Sequence, residues 1–397
     1  MTQKKSDQII VYSTVWCPDC KRAKRFFGEQ RVPYVNVDIE QDAEAMTLVE
    51  RVNHGKRIIP TIVFPDGTIL VEPSNAQLAE KLGLQTKAKR QFYDAIVVGG
   101  GPAGLTAALY MAREGLDTLV VEQAGLGGQA GITQTLDNFP GFDQGIAGAE
   151  FADKLGRQAR RFGAEIMQAQ TVTDLSPDGP YWCVTTGDGS EYGTKAVLLA
   201  IGARYRKLGV PGEDDLIGIN IHFCATCDGA FYKGRKVLVV GGGNSSFEEG
   251  LFLTKFASQV DIVEFLPQVK ASQILQEKVA EQSNMTVTVN HAVKAFQGKH
   301  KLEAVVVQDR ATGAIKEWHY DGVFVFIGLA PNSDLAKNKV AVDNFGFIAT
   351  DQSLMTSLPG LFAAGDVRAG STKQAASAAG EGATVALMIR EYLKKAG

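Results

Sequence analysis

Apolar and polar positions divide the chain into stretches of different texture. Residues 9–15 (IIVYSTV) are a β-branched run that predicts a strand ending at Trp16-Cys17. Beyond Cys17 the apolar positions take helical spacing through Phe26 and Phe27. A second strand, PYVNVDIE, precedes a helix from about Asp42 to Val52. Two short strands around Pro60, RIIPTIVF and TILVEP, lead into a last helix from Ser74 to Leu82. LQTKAKRQ then carries three cations and no apolar period, so residues 85–91 read as a linker. From Phe92 the texture changes: YDAIVVGGGPAGLTAALYMA is an apolar strand, a glycine turn and an apolar-faced helix. Nearly the same unit returns 142 residues on, as KVLVVGGGNSSFEEGLFLTKFA. Two copies of one strand–turn–helix unit predict two dinucleotide-binding domains rather than a solenoid.

Length and composition fit that division. A chain of 397 residues suggests two to three domains, and 45% hydrophobic with 21% charged residues is ordinary globular protein. Net charge is −3 with no recurring Lys/Arg stripe, which argues against a nucleic-acid partner. MTQKKSDQII lacks an apolar h-region, and no apolar run approaches the ~20 residues of a membrane helix. The expected compartment is therefore the cytoplasm, with no membrane partner. There the five cysteines become informative. Four form the C-x-x-C pairs Cys17/Cys20 and Cys224/Cys227, which in a reducing compartment are redox-active or metal-binding. Zinc would need pairs about 200 residues apart to converge, against a usual spacing of roughly 15–20, so no metal is expected. Cys183, in the strand YWCVTT, reads as an inert small hydrophobe.

The first glycine turn is Gly99-x-Gly101-x-x-Gly104, with Glu122 ending the next strand, 23 residues past Gly99. The glycines permit a tight turn and close backbone approach to a pyrophosphate on a helix N-terminus, and the acid reaches a ribose hydroxyl. The second turn is Gly241-x-Gly243-x-x-Ser246, with Glu264 at the same 23-residue offset. Ser246 is still small enough for helix and strand to pack closely. FAD with a nicotinamide nucleotide is the usual combination of two such sites. LFAAGDVR, carrying Asp366, and the small-residue helix KQAASAAGEGATVA support FAD in the first.

On GGGPAGLTAALY, GLGGQ, DNFPGF, CATCDG, GGGNSSFEEGLFLTKFAS, IGLAPN and LFAAGDV, residues 92–397 resemble low-molecular-weight thioredoxin reductases and the flavoprotein subunit of alkyl hydroperoxide reductase. The resemblance implies an FAD-binding domain over 92–206 and 327–397, with an NAD(P)H-binding domain, 207–326, inserted in it. The flavin contacts it implies are Gly99, Gly101, Pro102, Ala103, Gly104, Glu122, Gln123, Gly128, Gln129, Asn138, Gly202, Gly365, Asp366, Lys373, Gln374 and Ala375. For the nicotinamide nucleotide they are Gly241, Gly243, Asn244, Ser245, Ser246, Glu264, Lys270, Ile327 and Gly328. Cys224/Cys227 becomes the dithiol reduced from the flavin, with Asp228 as its proton donor or acceptor. The resemblance further implies a homodimer, and a domain rotation with hinges near Lys207–Pro211 and Phe326–Leu329. His222, two residues before Cys224, reads as packing. One departure concerns the nucleotide. Relatives that use NADPH carry His-Arg-Arg and a further Arg where this chain reads Glu264-Phe265-Leu266 and Lys270. An acid at the strand end suits the free ribose hydroxyls of NADH, so NADH is expected to be preferred over NADPH.

At the N-terminus, Cys17-Pro-Asp-Cys20 lies where a strand gives way to a helix, so the Cys17 thiolate faces unpaired backbone N–H groups. Lys21 and Arg22 add charge nearby, and Cys20 is the resolving thiol. On VYSTVWCPDC, VDIEQD, VNHG, IIPTIVFPDGT and EPSNAQL, residues 8–84 resemble a glutaredoxin, most of all the mycoredoxin branch. That implies a thioredoxin fold over 1–84 with Pro60 as its cis-proline. A glycine-glycine and aspartate glutathione motif is not evident after the last strand. The whole chain is thus read as α/β: a thioredoxin fold plus two Rossmann-like domains, the second inserted in the first. Electrons would run from NADH through FAD to Cys224/Cys227 and on to Cys17/Cys20. That last transfer is downhill by roughly 2–3 kcal/mol at typical thioredoxin and glutaredoxin potentials. Peroxiredoxin, protein or low-molecular-weight thiol disulfides are all open as final acceptors. Two other readings stay open: an N-terminal domain that only docks a separate thioredoxin, and a flavin-bearing redox sensor with little turnover.

Overall fold

The computed structural model describes residues 8–396 apart from 15, 134, 135, 137 and 224. In the N-terminal unit β1 (Ile9–Ser13), α1 (Pro18–Glu29), β2 (Tyr34–Asp38), α2 (Ala43–Val52), β3 (Thr61–Val63), β4 (Ile69–Val71) and α3 (Asn75–Lys81) follow in turn. Local chemistry sets the helix starts. Pro18 opens α1, the Asp42 carboxylate caps α2, and Ser74 with Gln77 forms a capping box on α3. The strands lie in the order β2-β1-β3-β4, with β1–β2 parallel and the rest antiparallel. Val11, Ala23, Phe27, Ile62 and Leu78 form the core of this thioredoxin-fold unit.

Next come β5 (Phe92–Val98), α4 (Pro102–Arg113), β6 (Thr118–Val121), α5 (Gly128–Ile132), α6 (Gly148–Arg161), β7 (Glu165–Met167), β8 (Val172–Asp178), β9 (Tyr181–Thr186), β10 (Glu191–Leu199) and β11 (Ala203–Tyr205). The chain then builds α7 (Glu213–Leu216), β12 (Ile221–His222), α8 (Ala225–Asp228), β13 (Lys236–Val240), α9 (Asn244–Leu253), β14 (Gln259–Val263), α10 (Gln273–Ala280) and β15 (Met285–Thr288). It continues through β16 (His291–Gln297), β17 (Ala304–Asp309), β18 (Ile315–Trp318) and β19 (Gly322–Val325). It closes with β20 (Leu329–Pro331), β21 (Leu361–Ala363) and α11 (Ala375–Ala396).

Two parallel-centred sheets result. The first runs β7-β6-β5-β10-β9-β8, and the C-terminal end of β10 also pairs with the late strand β21, parallel. The second, β12-β19-β13-β14-β15, is parallel throughout, and β16-β17-β18 form an antiparallel sheet beside it. Central strands such as β13 and β19 read as nearly unbroken apolar runs because both faces are covered. The chain leaves the first sheet on β11 and returns on β20, and these two pair antiparallel, Ala203 opposite Pro331. The small residues of α11 have a packing reason: a Cβ on Gly382 would sit on the Ala103 carbonyl oxygen of α4.

The segment expected to be a linker is bonded along its length. Gln168 N–H donates to Gln85 O (2.8 Å), Lys89 N–H to the Glu165 carboxylate (2.7 Å), and the Gln85 amide also reaches Glu165. Glu165 opens the edge strand β7, so a carboxylate there meets exposed N–H groups that polarity alone would assign to solvent. Among the described residues no helix is long and apolar enough to cross a membrane.

Candidate active site

Cys17 is the N-cap of α1, and its Sγ accepts the Cys20 backbone N–H at 3.0 Å. The Ile59–Pro60 bond is cis, as expected, and the Cys17 thiol lies 3.8 Å from the Ile59 carbonyl oxygen. Both sulfurs are buried, Cys17 at 4% exposure and Cys20 at 0%, so a partner disulfide has to seat closely. Burial, reinforced by the hydrogen bond with Cys17, pushes the Cys20 thiol up to about 12. The proton thus stays on Cys20. The charge pattern differs in detail from the expectation. Arg22 pairs with Asp19 (3.0 Å) and donates to Pro73 O (2.9 Å), so its charge is largely spent. Lys24, on the helix face toward Ser13 (3.3 Å), is the cation that acts on Cys20.

At the first glycine turn, Glu122 is 8% exposed and accepts the N–H groups of Gly100 (2.6 Å) and Ala124 (2.7 Å). Burial raises this carboxyl, opposed by those bonds and by the charge of Arg31. Gly99 has φ 107, and a Cβ there would meet the Ala200 carbonyl. The cap residue Gly101 offers no side chain to α4, whose first N–H groups are left for an anion. Pro102 and Ala103 begin that helix, and Gly101 lies against Gly128, a Cβ on it coming 4.0 Å from the Gly128 Cα. Across the site Asp366 has a buried Oδ1 without a hydrogen-bond partner, and burial raises its carboxyl. The Asn138 amide donates to Gln374 Oε1 (3.1 Å), joining two residues 236 apart. Lys373 spends its ammonium on the carbonyls of Asp366 (2.6 Å) and Arg368 (3.0 Å). Gly202 and Gly365 take φ 65 and 77, and Ala375 opens α11. Gln123 and Gly128 have their carbonyls bound by Gln30 and Arg31 of the N-terminal unit, and Gln129 follows in α5.

A Cβ on Gly104 would fall on the Gly99 carbonyl oxygen, whereas one on Gly243 meets nothing within 4 Å. Gly104→Ala is therefore expected to destabilise the protein by about 1–3 kcal/mol or more, and Gly243→Ala to be neutral. Thermal denaturation of the two variants checks this.

The second turn opens onto a cavity of about 720 Å³. Gly241, Gly243, Asn244, Ser245, Glu264, Lys270, Ile327 and Gly328 all line it, so eight of the nine residues expected there are brought together. Ser246, the ninth, lies beneath the loop, 0% exposed, where its hydroxyl accepts from Gly243 N–H at 3.2 Å. Glu264 is 9% exposed, is held by Leu266 N–H (2.7 Å) and stands against Gly242 as Glu122 does against Gly100. His291 and Lys294, on β16, also line the cavity. No motif marks them, since β16 lies outside both repeated units.

Cys224 and the Cys227 side chain lie outside the described residues. Their surroundings are defined. His222 is buried, yet it does more than pack: Nδ1 is 3.2 Å from Asp228 Oδ2 and Nε2 is 2.7 Å from Tyr232 OH. Asp228 is thus tied to β12. Glu249 of α9 accepts the Ala225 N–H at the start of α8, and burial raises its carboxyl, which has one oxygen unpartnered. Only a crossing of α8 by α9 reveals Glu249; in sequence it is one of two adjacent acids. Cys183 is half-buried, and burial pushes its thiol up.

The pyridine nucleotide-disulphide oxidoreductase family model matches residues 93–382, and the glutaredoxin family model matches residues 9–69. Bacillus subtilis thioredoxin reductase is 38% identical over 309 residues, covering 78% of this chain and 97% of that protein. Among solved structures, Lactococcus lactis thioredoxin reductase (FR conformation) superposes with a TM-score of 0.64 at 34% identity, over 76% of this chain and 99% of that one. Streptococcus pyogenes thioredoxin reductase gives 0.63 at 38% identity, over 77% and 99%.

Proposed function

Because the chain belongs to the pyridine nucleotide-disulphide oxidoreductases, as a thioredoxin reductase-like enzyme with an N-terminal glutaredoxin domain, we propose that its Cys224/Cys227 dithiol reduces its own Cys17–Cys20 disulfide. Family membership implies FAD and NAD(P)H as cofactors. The cradle suits FAD: Gly99, Gly101 and the open N-terminus of α4 take a pyrophosphate, Glu122 a ribose, and Asp366 has a buried acceptor to fill. When bound, FAD supplies the exchange of two electrons between a nicotinamide and a disulfide.

The chain's own residues then carry thiol chemistry. One sulfur of the Cys224/Cys227 dithiol attacks the Cys17–Cys20 disulfide, forming a mixed disulfide. The second attacks that bond, leaving Cys224–Cys227 oxidised and Cys17/Cys20 reduced. Asp228, held by His222, is placed to give or take the proton. The Cys17 thiolate next attacks an external disulfide, and Cys20 resolves it. The observation that carries this reading is the Cys17 cap geometry, a sulfur at the start of α1 that accepts the Cys20 N–H at 3.0 Å. NADH is the preferred donor, and the external substrates are peroxiredoxin, protein or low-molecular-weight thiol disulfides. The enzyme works in the reducing cytoplasm as a homodimer.

Anaerobic titration with NADH tests the path. The oxidised wild type should take up three two-electron equivalents, one for the flavin and one for each disulfide. The Cys17→Ser/Cys20→Ser variant should take up two. Equal uptake by both proteins would show that electrons never reach the N-terminal pair.

A further inference from the structure

One side chain of the glutaredoxin domain is seated in the flavin domain. α1 ends at Glu29, Gln30 caps it, and Arg31 follows with φ 57, the left-handed conformation that glycine usually takes after a helix. Its guanidinium enters a slot in the other domain. Nη1 donates to Leu126 O, and Nη2 donates to Gly128 O at 2.7 Å. Two glycines make the room: a Cβ on Gly125 would come within 3.1 Å of Arg31 Cδ, and one on Gly131 would fall on Nη1. Two bonds flank the slot, Gly125 N–H to Glu29 O at 2.8 Å and Gln30 Nε2–H to Gln123 O at 3.0 Å.

The slot lies on the segment 123–128, which runs from Glu122, the acid of the first glycine site, to the start of α5. Gln123 and Gly128 on that segment, and Gln129 just beyond it, are flavin contacts in the reading above. We propose that Arg31, carried by the glutaredoxin domain, is a positioning residue of the flavin site, so that docking of that domain and binding of FAD strengthen each other. The inference rests on the reading of the β5–α4 cradle as the FAD site.

The physical basis is a shared ordering cost. A loop that must be fixed for both events is fixed once, so whichever comes first makes the other easier, and the effect is reciprocal. Arginine suits the task because its planar fork satisfies two carbonyls while its charge stands near buried Glu122. This contact is made at the end of α1 remote from the dithiol. Twelve residues of helix separate the two ends of α1, so Cys17 lies about 18 Å along the axis from the docked end.

The test uses full-length protein stripped of FAD and reconstituted with it. Arg31→Ala should raise the FAD dissociation constant by about 5- to 150-fold, the usual range of coupling between sites. Arg31→Lys, which keeps the charge but not the fork, should fall between. In the wild type, removing FAD should speed hydrogen exchange at the Gly125 amide, which bonds to Glu29 across the interface. The proposal is overturned if Arg31→Ala binds FAD as tightly as the wild type, or if Gly125 exchange is indifferent to FAD. Should Arg31→Ala fail to fold, the exchange measurement on the wild type decides alone. A wild type that takes up no FAD at all would instead sink the flavin reading itself.

Discussion

Cys17→Ser should bring steady-state reduction of an external disulfide down to the uncatalysed level while NADH still bleaches the flavin at the wild-type rate. The asymmetry of the pair is the reason. Cys17 sits at the helix N-cap with a backbone N–H on its sulfur, whereas burial keeps the proton on Cys20. Cys17 is therefore the sulfur that attacks, and no other described cysteine can replace it: Cys183 lies on β9 in another sheet, with its thiol pushed up by burial. Cys20→Ser should behave differently. The first attack still occurs, but the resolving thiol is gone, so the substrate accumulates as a mixed disulfide on Cys17, visible by intact-mass spectrometry. Unchanged turnover in Cys17→Ser would mean that the N-terminal domain only docks a separate acceptor.

How much of this was legible in the sequence depended on the range of the interaction. The glycine turns with their acids at fixed offsets, and the cysteine that starts a helix after a β-branched strand, are short-range patterns whose geometry follows from backbone sterics alone. Gly241, Gly243 and Glu264 could be named that way, and the other five expected cavity-lining residues only through the family resemblance. What could not be read depends on elements meeting across the fold. His291 and Lys294 reach the nucleotide cavity from β16, Glu249 reaches the start of α8 from α9, and Tyr232 completes the His222–Asp228 contact. His222 looked like packing because its partner six residues on becomes a neighbour only after α8 turns. Arg31 was the least visible. An arginine after a helix is ordinary in sequence, and only the slot between Gly125 and Gly131 gives it a partner. The linker shows the same limit, since its polarity marks exposure but not the Glu165 carboxylate that holds it.

Nucleotide choice should be set by Glu264. Its carboxylate is 9% exposed, fixed by Leu266 N–H and turned to Gly242 at the mouth of the second glycine turn, where a ribose edge would lie. The free hydroxyls of NADH can donate to it. A 2′-phosphate brings negative charge within a few Å, and at an effective dielectric near 20 that repulsion is about 2–4 kcal/mol. Wild-type kcat/KM should accordingly favour NADH by about 30- to 1000-fold. Lys270 and Lys294 share the cavity, and their positive charge moves the expected preference toward the lower end of that range. Glu264→Gln removes the repulsion and keeps the size of the side chain, so it should improve NADPH far more than it harms NADH. The NADH-to-NADPH ratio of kcat/KM should then collapse toward unity, with Lys270 left as a phosphate partner. Comparable kcat/KM for the two nucleotides in the wild type would show that the lysines, not the acid, govern the site, and Lys270→Ala rather than Glu264→Gln would then change the preference.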